Sequence, residues 1–317
     1  MFVEVRRQFN DAELVELTAV CGLFGQSNRF QDSMRLPIEA PHEVNKIRNS
    51  VHADPERLRS YVAHMVENWP ATYPVAVGTV RPNADRMPML SATTSAPRVP
   101  LLDPATAAGA SLQFIAAARQ LLGGLPNSVS VWAHTPHVAK FFVPFFVAFE
   151  RDGAGSILPA RLRLMVLLKT HYLHDAHYLL AHHTALSHCA GLTGKQLAAL
   201  SLTGAEQSPE FTPRERAAIA WAAQVAHNIA KRDETVFNEL TKHFNTAEIV
   251  ELTGLCAIAS NADLVYNALR VPLEPESIVA TLNNKVAIDA TRIKIYLQTV
   301  LTEWPQAWPQ LDVGVAR

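Results

Sequence analysis

The side chains best suited to catalysis or metal binding are concentrated in one short stretch that is rich in histidine. Six of the 13 histidines fall between residues 171 and 188, and they are His171, His174, His177, His182, His183 and His188. An imidazole ring gains or loses a proton near neutral pH and is also a common metal ligand. The stretch therefore predicts a site for acid/base catalysis or for a metal ion.

The spacing of this stretch indicates which histidine faces the interior. Asp175 is a suitable N-terminal cap for a helix that runs from residue 176 to about residue 190. Because successive helical residues are rotated by about 100°, Ala176, Leu179 and His183 would share one face. His183 would then look into a small apolar space, where an imidazole can act as acid or base on a bound substrate. A buried histidine that only hydrogen-bonds the backbone is the competing interpretation.

Neighbouring groups could assist His183. His177 or His171 is a candidate second titrating group, and Lys169 could hold a carboxylate or enolate oxygen of the substrate. A lysine is more often a solvated charge, so the proposed role of Lys169 has a simple alternative. The residues expected to contact the substrate are Lys169, Leu164, Ala176, Leu179 and Tyr178.

A metal site is the alternative use of the same stretch. The candidate ligands are His171, His174, Asp175 and His177. These ligand types suit zinc, copper or iron. On a continuous helix, however, the spacing i, i+3, i+6 would spread the three rings over about 120°. The rings could converge only where a turn breaks the helix, so a site without a cofactor is the simpler expectation.

The elements that must position these groups are helices. Four residues have the type and spacing of N-caps with a capping-box partner three residues later, and they are Asn10, Thr193, Thr212 and Asn245. Asp103 followed by Pro104 predicts one more helix start. Apolar residues follow at intervals of three and four, without the alternation of strands. The sequence therefore predicts an all-α fold with several helices in each module.

Part of the sequence is repeated at an offset of 235 residues. Over positions 7–39, 12 of 33 residues are identical to those at 242–274 in an ungapped register, where chance would give about two. The same register continues to the pair Trp69 and Trp304. A duplication is the natural explanation.

The two copies differ in what precedes them, because about 150 residues before the later copy have no counterpart before the first. We therefore expect residues 1–84 to be the rear half of a duplicated module and residues 85–317 to be a complete module. Residues 74–103 are rich in proline, serine and threonine and lack helical periodicity, which is typical of a linker.

The chain resembles the alkylhydroperoxidase D and carboxymuconolactone decarboxylase superfamily. The resemblance covers about residues 105–275 and includes the segments LRLMVLLKTHYLHDAHYLLAHHTALSHCAGLT and AEIVELTGLCAIASNADLVYNAL. It implies a helical bundle of the alkylhydroperoxidase D type that is usually oligomeric. In redox members of the superfamily, a glutamate, the two cysteines of a CxxC motif and a histidine form a thiol centre.

Matched to that pattern, this chain keeps the histidine and lacks the other groups. His183 falls on the family's histidine, whereas Leu164 falls on the glutamate. Ala176 and Leu179 fall on the two cysteines. The resemblance therefore implies that no thiolate acts at this site. Cys189 lies about 120° around the same helix from His183, so it is not a substitute.

The three cysteines are too few and too scattered for a disulfide framework. They are Cys21, Cys189 and Cys256. Cys21 and Cys256 are matched in the repeat and share an apolar face, so we expect both to be core residues. Cys189 is expected to be a partly buried small residue.

Composition argues against several classes of partner. The 28 basic and 29 acidic residues give a net charge of −1, which argues against nucleic acid or an acidic membrane. The longest apolar run, Phe141 to Phe149, is far shorter than the roughly 20 residues that cross a bilayer, and the first residues lack a signal-peptide pattern. We expect a cytoplasmic homo-oligomer that binds a small molecule.

Three functions follow as hypotheses. The first is a cofactor-independent acid/base enzyme, a decarboxylase or a lyase that processes lactones or carbonyl groups, acting on a small carboxylated or carbonyl substrate; the resemblance suggests this reaction class. The second is a metal-dependent enzyme that uses the histidines of 171–183. The third is a structural or interaction protein that has lost the redox chemistry, in which residues 1–84 dock where another subunit's rear half packs in oligomeric relatives.

Overall fold

The computed structural model describes residues 2–48, 54–74, 96–305 and residue 308. Over these residues the chain forms fifteen α-helices, two short 3-10 helices and no strand. One isolated parallel bridge joins Asp152 to Ala287. The prediction of an all-α fold is confirmed.

The helices are named here in chain order. The first four are α1 (Phe2–Gln8), α2 (Asp11–Met34), α3 (Pro41–Arg48) and α4 (Pro55–Glu67). The middle of the chain forms α5 (Gly109–Leu122), α6 (Asn127–Trp132), α7 (Pro136–Glu150), α8 (Ala160–Leu173), α9 (His177–Cys189), α10 (Gly194–Leu200) and α11 (Pro213–Ala226). The last four are α12 (Glu234–Thr241), α13 (Thr246–Leu269), α14 (Glu276–Leu282) and α15 (Ala290–Thr302).

The four predicted capping boxes are confirmed, and the helix start predicted at Asp103 is wrong. Complete capping boxes, in which side chain and backbone satisfy each other, begin α2, α10, α11 and α13. Asp103 instead accepts a hydrogen bond from the Ala105 N–H and starts only a turn. Helix α5 begins later, at Gly109, where the N-cap residue Ala108 has no side-chain acceptor.

Helix bounds keep the offset of 235 residues found in the sequence. Both α2 and α13 have 24 residues. Each ends at an arginine in the left-handed conformation, Arg35 with φ 49° and Arg270 with φ 54°. Both α4 and α15 have 13 residues and an aspartate N-cap, Asp54 and Asp289.

Helices α2 and α13 cross each other at matched positions. Asn261 Nδ2 donates a 2.9 Å hydrogen bond to Gln26 Oε1, and these two residues are 235 positions apart. Gly22 lies at the crossing, where an added Cβ would come within 2.1 Å of Asn261 Oδ1. The absence of a side chain at Gly22 therefore allows the two helices to approach closely.

Two hydrophobic cores hold the bundle together. The first surrounds α8, α11 and the first half of α13, and Trp221 is its largest fully buried side chain. The second joins α5, α6, α7 and α15 to the first half of α2 and the last part of α13. Helices α8 and α13 are buried on almost every face, which is typical of helices at the centre of a protein. These two helices carry part of the candidate site.

Matched positions of the two copies differ sharply in exposure. Phe24 of α2 is 64% exposed, whereas its counterpart Ala259 of α13 is 2% exposed. Tyr61 of α4 is 64% exposed, whereas Tyr296 of α15 is 2% exposed. In α13 this face packs on α8 and α11, and in α15 it packs on α5 and α7. Helices α2 and α4 therefore keep the same apolar pattern, but the apolar face is exposed to solvent.

The same difference corrects the expectation for one cysteine. Cys256 is buried in the core, as expected, but Cys21 at the matched position is exposed. The sequence pattern of the two helices is alike, so the pattern alone predicted burial for both. Only the packing of α8 and α11 against α13 separates them.

The predicted linker falls largely on residues 75–95, which lie outside the described residues. Its last part is packed. The Arg98 N–H donates to the Leu269 carbonyl, and the Arg98 guanidinium lies 4.6 Å from the Phe2 ring centroid. Val99 is buried in the second core. The end of the predicted linker is therefore packed at residues 98–99.

Among the helices of the described ranges, one meets the length and composition of a membrane span. It is α13, and 78% of its apolar window is buried inside the protein. That burial is typical of the central helix of a bundle.

Candidate active site

The histidine stretch folds as two antiparallel helices joined by a tight turn. Helix α8 ends at Leu173 and α9 begins at His177. The Ala176 N–H donates to the His171 carbonyl, and Asp175 takes the left-handed conformation with φ 51°. The N-cap residue of α9 is Ala176, without a side-chain bond, so the expectation that Asp175 caps this helix is wrong.

A row of hydrogen-bonded groups crosses the bundle at this point. Asp263 of α13 accepts from His171 Nδ1 at 2.6 Å through one oxygen and from His174 Nδ1 at 2.8 Å through the other. His171 Nε2 lies 2.7 Å from His183 Nδ1, and the two rings stack with centroids 4.9 Å apart. His183 Nε2 lies 3.5 Å from Glu150 Oε1. We call Asp263, His171, His183 and Glu150 the histidine row.

The middle of the histidine row is shut off from water. The side chains of His171 and Asp263 are 0% and 1% exposed, and that of His183 is 4% exposed. Glu150 is the more open end, with 24% of its side chain exposed. An unpaired charge in such a place would be costly, so every buried charge in the row has a partner.

The pKa directions in the row follow from burial and from these partners. Burial favours neutral Asp263, but the charge of His171 and the bonds from both histidines outweigh it, so the pKa of Asp263 lies below its ordinary value. Burial likewise opposes the charge of Glu150, but His183, Arg151 and His171 lower the pKa of Glu150 overall. Burial lowers the pKa of His183, and Glu150 only partly offsets it. Both carboxylates are therefore ionised at neutral pH and His183 favours its neutral form.

The histidine row can hold a variable number of protons. Three contacts link its four groups, and each contact needs one proton to be a hydrogen bond. Two neutral imidazoles supply two protons, so a third makes the pair a cation between two carboxylates. The row is therefore able to take up one proton and give it back.

His183 and Glu150 line a cavity of about 120 Å³. Its walls are mainly apolar and aromatic, and the aromatic side chains are Trp132, Phe142, Phe146, Tyr178 and Tyr266. The Trp132 N–H donates to the Tyr266 hydroxyl at 3.2 Å, and burial raises the pKa of Tyr266 to about 12. The cavity thus joins an apolar chamber to one pair of titrating groups, the usual composition of a small-molecule site.

Arg151 is the cation at this cavity. Its guanidinium donates to the carbonyl oxygens of Lys285 and Leu282 and to Asn283 Oδ1. These bonds fix it beside Glu150, whose charge it partly balances. An anionic substrate group would therefore meet Arg151 at this end of the cavity.

A second buried network supports another part of the cavity wall. Glu274 accepts from the Tyr178 hydroxyl and from His182 Nε2, both at 2.8 Å. Asn283 donates to His182 Nδ1 at 3.0 Å, so His182 carries its proton on Nε2. Burial and the charge of Glu274 raise the pKa of Tyr178. His182 has both nitrogens engaged, which makes it a structural partner of Glu274.

Lys169 does not reach the cavity. Its ammonium donates to the carbonyl oxygens of Leu200 and Leu202, at 3.3 Å and 2.8 Å. It therefore satisfies the last turn of α10 and the chain after it. The role of Lys169 as an anchor for a substrate anion is corrected on this ground, and so is its alternative as a solvated charge, because the residue is buried.

The other predicted contact residues divide into two groups. Tyr178 and Leu179 line the cavity. Leu164 is buried in the first core and Ala176 is buried at the start of α9, and neither belongs to the cavity wall. Helix α9 thus turns Leu179 and His183 to the cavity, while α8 turns Leu164 away from it.

The four candidate metal ligands do not converge on one point, because they form two separate sets of contacts. His171 and His174 share Asp263, whereas the exposed side chains of Asp175 and His177 pair with each other at 3.2 Å. Within the described ranges no group of three or more histidine, cysteine, aspartate or glutamate side chains could hold a metal ion. His177 also stays remote from the cavity, so it is not a second titrating group there; His171 is the neighbour that His183 contacts.

No cysteine lines the cavity among the described residues. Cys189 donates weakly to the Asn283 carbonyl, and burial raises the pKa of its thiol. Burial raises the pKa of Cys256 to about 12. A raised pKa keeps a thiol protonated and poorly nucleophilic.

The sequence analysis did not predict two carboxylates of the site, Asp263 and Glu150. Asp263 is the one acidic residue in the second half of the apolar helix α13, and Glu150 ends the apolar helix α7. A single charge inside an otherwise apolar helix is a usable signal, because it must find a buried partner. The identity of that partner could not be read from the sequence.

Similarity to known proteins is found among solved structures and is not found among family models or curated protein sequences. No protein-family model matches the chain, and no curated protein matches it. The chain is similar to the alkylhydroperoxidase AhpD core, an uncharacterized peroxidase-related protein from Ralstonia eutropha JMP134, with 18% identity, 62% of this chain and 100% of that chain covered, and a TM-score of 0.48.

Two further structures show a likeness of the same degree. An uncharacterized peroxidase-related protein from Silicibacter sp. TM1040 has 18% identity, covers 68% of this chain and 100% of its own, and gives a TM-score of 0.46. The debrominase Bmp8 has 18% identity, covers 56% of this chain and 91% of its own, and gives a TM-score of 0.40. The chain is thus similar to alkylhydroperoxidase D-like proteins, and its reaction has to be inferred from its own site.

Proposed function

We propose that the protein is a cofactor-independent acid/base enzyme that acts on a small carboxylated or carbonyl substrate. The observation that carries this proposal is the histidine row, which places an imidazole at the wall of a cavity and links it to a buried carboxylate behind. A histidine oriented by a carboxylate is an effective general base. Here a second histidine, His171, lies between the two.

In this proposal His183 takes the proton. At neutral pH the lowered pKa of His183 favours the free base. When His183 accepts a proton from the substrate, the resulting cation lies between Glu150 and the His171–Asp263 pair, which stabilise it. The proton stays in the row and returns to the product in a later step. Arg151 is the group placed to meet an anionic substrate oxygen.

The cavity restricts the substrate. A space of about 120 Å³ with aromatic walls suits one small ring or a short branched chain, since an engineered apolar cavity of roughly 150 Å³ takes up benzene. Together with the superfamily resemblance, this supports a decarboxylase or a lyase acting on a lactone or carbonyl compound. Thiol peroxidase chemistry has no support here, because the described cavity wall holds no sulfur.

The remaining expectations stay proposals. We propose that residues 1–84 are the rear half of a duplicated module and residues 85–317 a complete one, supported by the matched bounds of α2 with α13 and of α4 with α15. We further propose a cytoplasmic homo-oligomer whose ligand is a small molecule. The exposed apolar face of α2 and α4 supports the oligomer and also fits the alternative of an interaction protein.

A panel of candidate substrates distinguishes the hypothesis of an enzyme from that of an interaction protein. Small β-keto acids and lactones are incubated with the protein, and loss of CO₂ or ring opening is followed by NMR. We expect turnover of at least one compound, a loss of about 10²- to 10⁴-fold in His183→Ala, and a large loss in Glu150→Gln. Cys189→Ser is the matched control from the same helix and should keep full activity. Equal turnover in His183→Ala would overturn the proposed mechanism.

A further inference from the structure

A second cavity lies at the other end of α7. It has a volume of about 310 Å³ and is bounded by α5, α7, α15 and the residues just after α15. Lys140 reaches it from α7, ten residues before Glu150, which is about 15 Å along a helix. The two cavities share no lining residue.

Lys140 is a buried cation without an anionic partner in the described part of the chain. The residue is 8% exposed. Its ammonium lies 4.4 Å from the Trp304 ring centroid, 4.7 Å from that of Trp308 and 5.4 Å from that of Phe141. These rings stabilise its charge by cation–π contact, and they shield the ammonium from water. No described carboxylate pairs with it.

The electrostatics agree with this geometry. Burial lowers the pKa of Lys140 to about 8. By contrast, the surface lysines Lys231 and Lys242 pair with carboxylates. A buried cation is stabilised when a negative group enters beside it. Among the described residues, the Lys140 ammonium therefore lacks a directly paired carboxylate.

The walls indicate what kind of anion fits. Phe114, Val300 and Trp304 supply apolar surface, and Gln113 and Thr302 supply a few polar groups. This combination of apolar walls and one fixed charge suits a molecule with an apolar body and a single charged end.

We propose that this cavity binds an apolar monocarboxylate, with Lys140 as the counter-ion of its carboxylate. The body of the ligand packs against the aromatic wall and its carboxylate meets the ammonium. The site is separate from the histidine row, so it would serve as an effector or a second-substrate site of the protein.

The other titratable groups around Lys140 restrict the ligand further. They are His137 on α7, Tyr296 on α15 and Glu303 just after α15. Burial and the charge of Lys140 lower the pKa of His137, so this ring favours its neutral form. Glu303 is exposed at the edge and repels a second negative charge. The site therefore selects a monocarboxylate over a dicarboxylate.

Benzoate is a suitable probe, and succinate is the dicarboxylate control. Binding is measured by calorimetry, and by the indole N–H signals of the tryptophans in NMR. Wild type should bind benzoate and bind succinate at least 10-fold more weakly. Lys140→Met keeps the apolar stem and removes the charge, so affinity for benzoate should fall at least 10-fold; Lys140→Arg should retain most of it.

Two further measurements keep the test decisive. Affinity of the wild type should fall as pH rises through about 8, because the free amine no longer pairs with a carboxylate. His183→Ala should bind benzoate at this site as well as wild type does, which separates this proposal from the acid/base function. Undiminished binding in a folded Lys140→Met, or no binding by wild type, would overturn the proposal.

Discussion

Asp263 shows how one buried carboxylate can organise a site at the scale of single residues. Its two oxygens engage His171 in the last turn of α8 and His174 just after that helix, and His171 in turn contacts His183. Because Asp263 stays ionised, His171 must carry its proton on Nδ1, which leaves Nε2 free to share a proton with His183. The chemistry of the cavity therefore depends on a residue that does not touch it.

Replacing Asp263 by Asn tests this dependence. The amide keeps the shape and loses the charge, so the row holds its third proton less well. We expect activity to fall by about 10²-fold and the free energy of unfolding to fall by about 3 kcal/mol, since a buried pair loses one charge. Turnover and denaturant unfolding are the measurements.

The pH dependence of activity in the same variant tests the direction of the effect that Asp263 has on His183. In wild type the active free base of His183 is lost as pH falls below its pKa, which lies under the ordinary value. In Asp263→Asn this acid limb should move to still lower pH, because the protonated pair has lost a stabilising charge. His174→Gln is the control, as it touches only the outer oxygen of Asp263. An unmoved limb would contradict the role given to Asp263.

At the scale of elements, the contact that matters most is the crossing of α2 and α13. These helices meet at matched positions, with Gln26 bonded to Asn261 and Gly22 close beside. The crossing ties the N-terminal segment to the helix that carries Asp263. A change in the spacing of the two helices would therefore reach the histidine row.

Two glycines of α2 provide a matched pair of variants for the crossing. In Gly22→Ala the new Cβ would lie 2.1 Å from Asn261 Oδ1 and 3.0 Å from Val265 Cγ2, so we expect a loss of about 1–3 kcal/mol in stability from overpacking. In Gly25→Ala the Cβ meets only the flexible end of Arg29 at 3.2 Å. This variant should be neutral or gain up to about 1 kcal/mol from helix propensity. Chemical unfolding compares them, and equal effects would show that the crossing is not tight.

At the scale of the whole molecule, the N-terminal segment carries a face that nothing described here covers. Leu17, Val20 and Phe24 of α2 are exposed, as are Leu58, Tyr61 and Met65 of α4. Their counterparts in α13 and α15 are buried against the middle helices. An apolar face of this kind is typical of a surface that packs on another protein, and a second copy of the chain is the partner that we propose.

A charge on this face should therefore disrupt assembly. We expect wild type to be a dimer or larger in solution, and Phe24→Glu to shift it toward the monomer, because a carboxylate would be buried without a partner. Leu264→Glu, an exposed position on α13, is the control and should leave the mass unchanged. Light scattering after size exclusion measures the mass. A wild type that is monomeric at micromolar concentration would remove the proposed interface.

The sequence by itself determined those features that depend on neighbouring residues. The capping boxes at Asn10, Thr193, Thr212 and Asn245 set where helices begin, because a cap bonds only to the next turn. The helical period placed Leu179 and His183 on one face of α9. The Asp103–Pro104 pair gave a wrong prediction, because an aspartate followed by proline can begin either a helix or a turn, and here it begins only a turn.

The tertiary structure decided which faces meet. Asp263 reaches the histidines from a helix far away in sequence, Glu150 reaches them from the end of the preceding helix α7, and Lys169 turns to the end of α10 instead of the cavity. Cys21 and Cys256 have matching local sequences and opposite exposure. The physical reason is that burial and buried charge pairing depend on the helices that pack around a residue, and those contacts join segments that no local pattern connects.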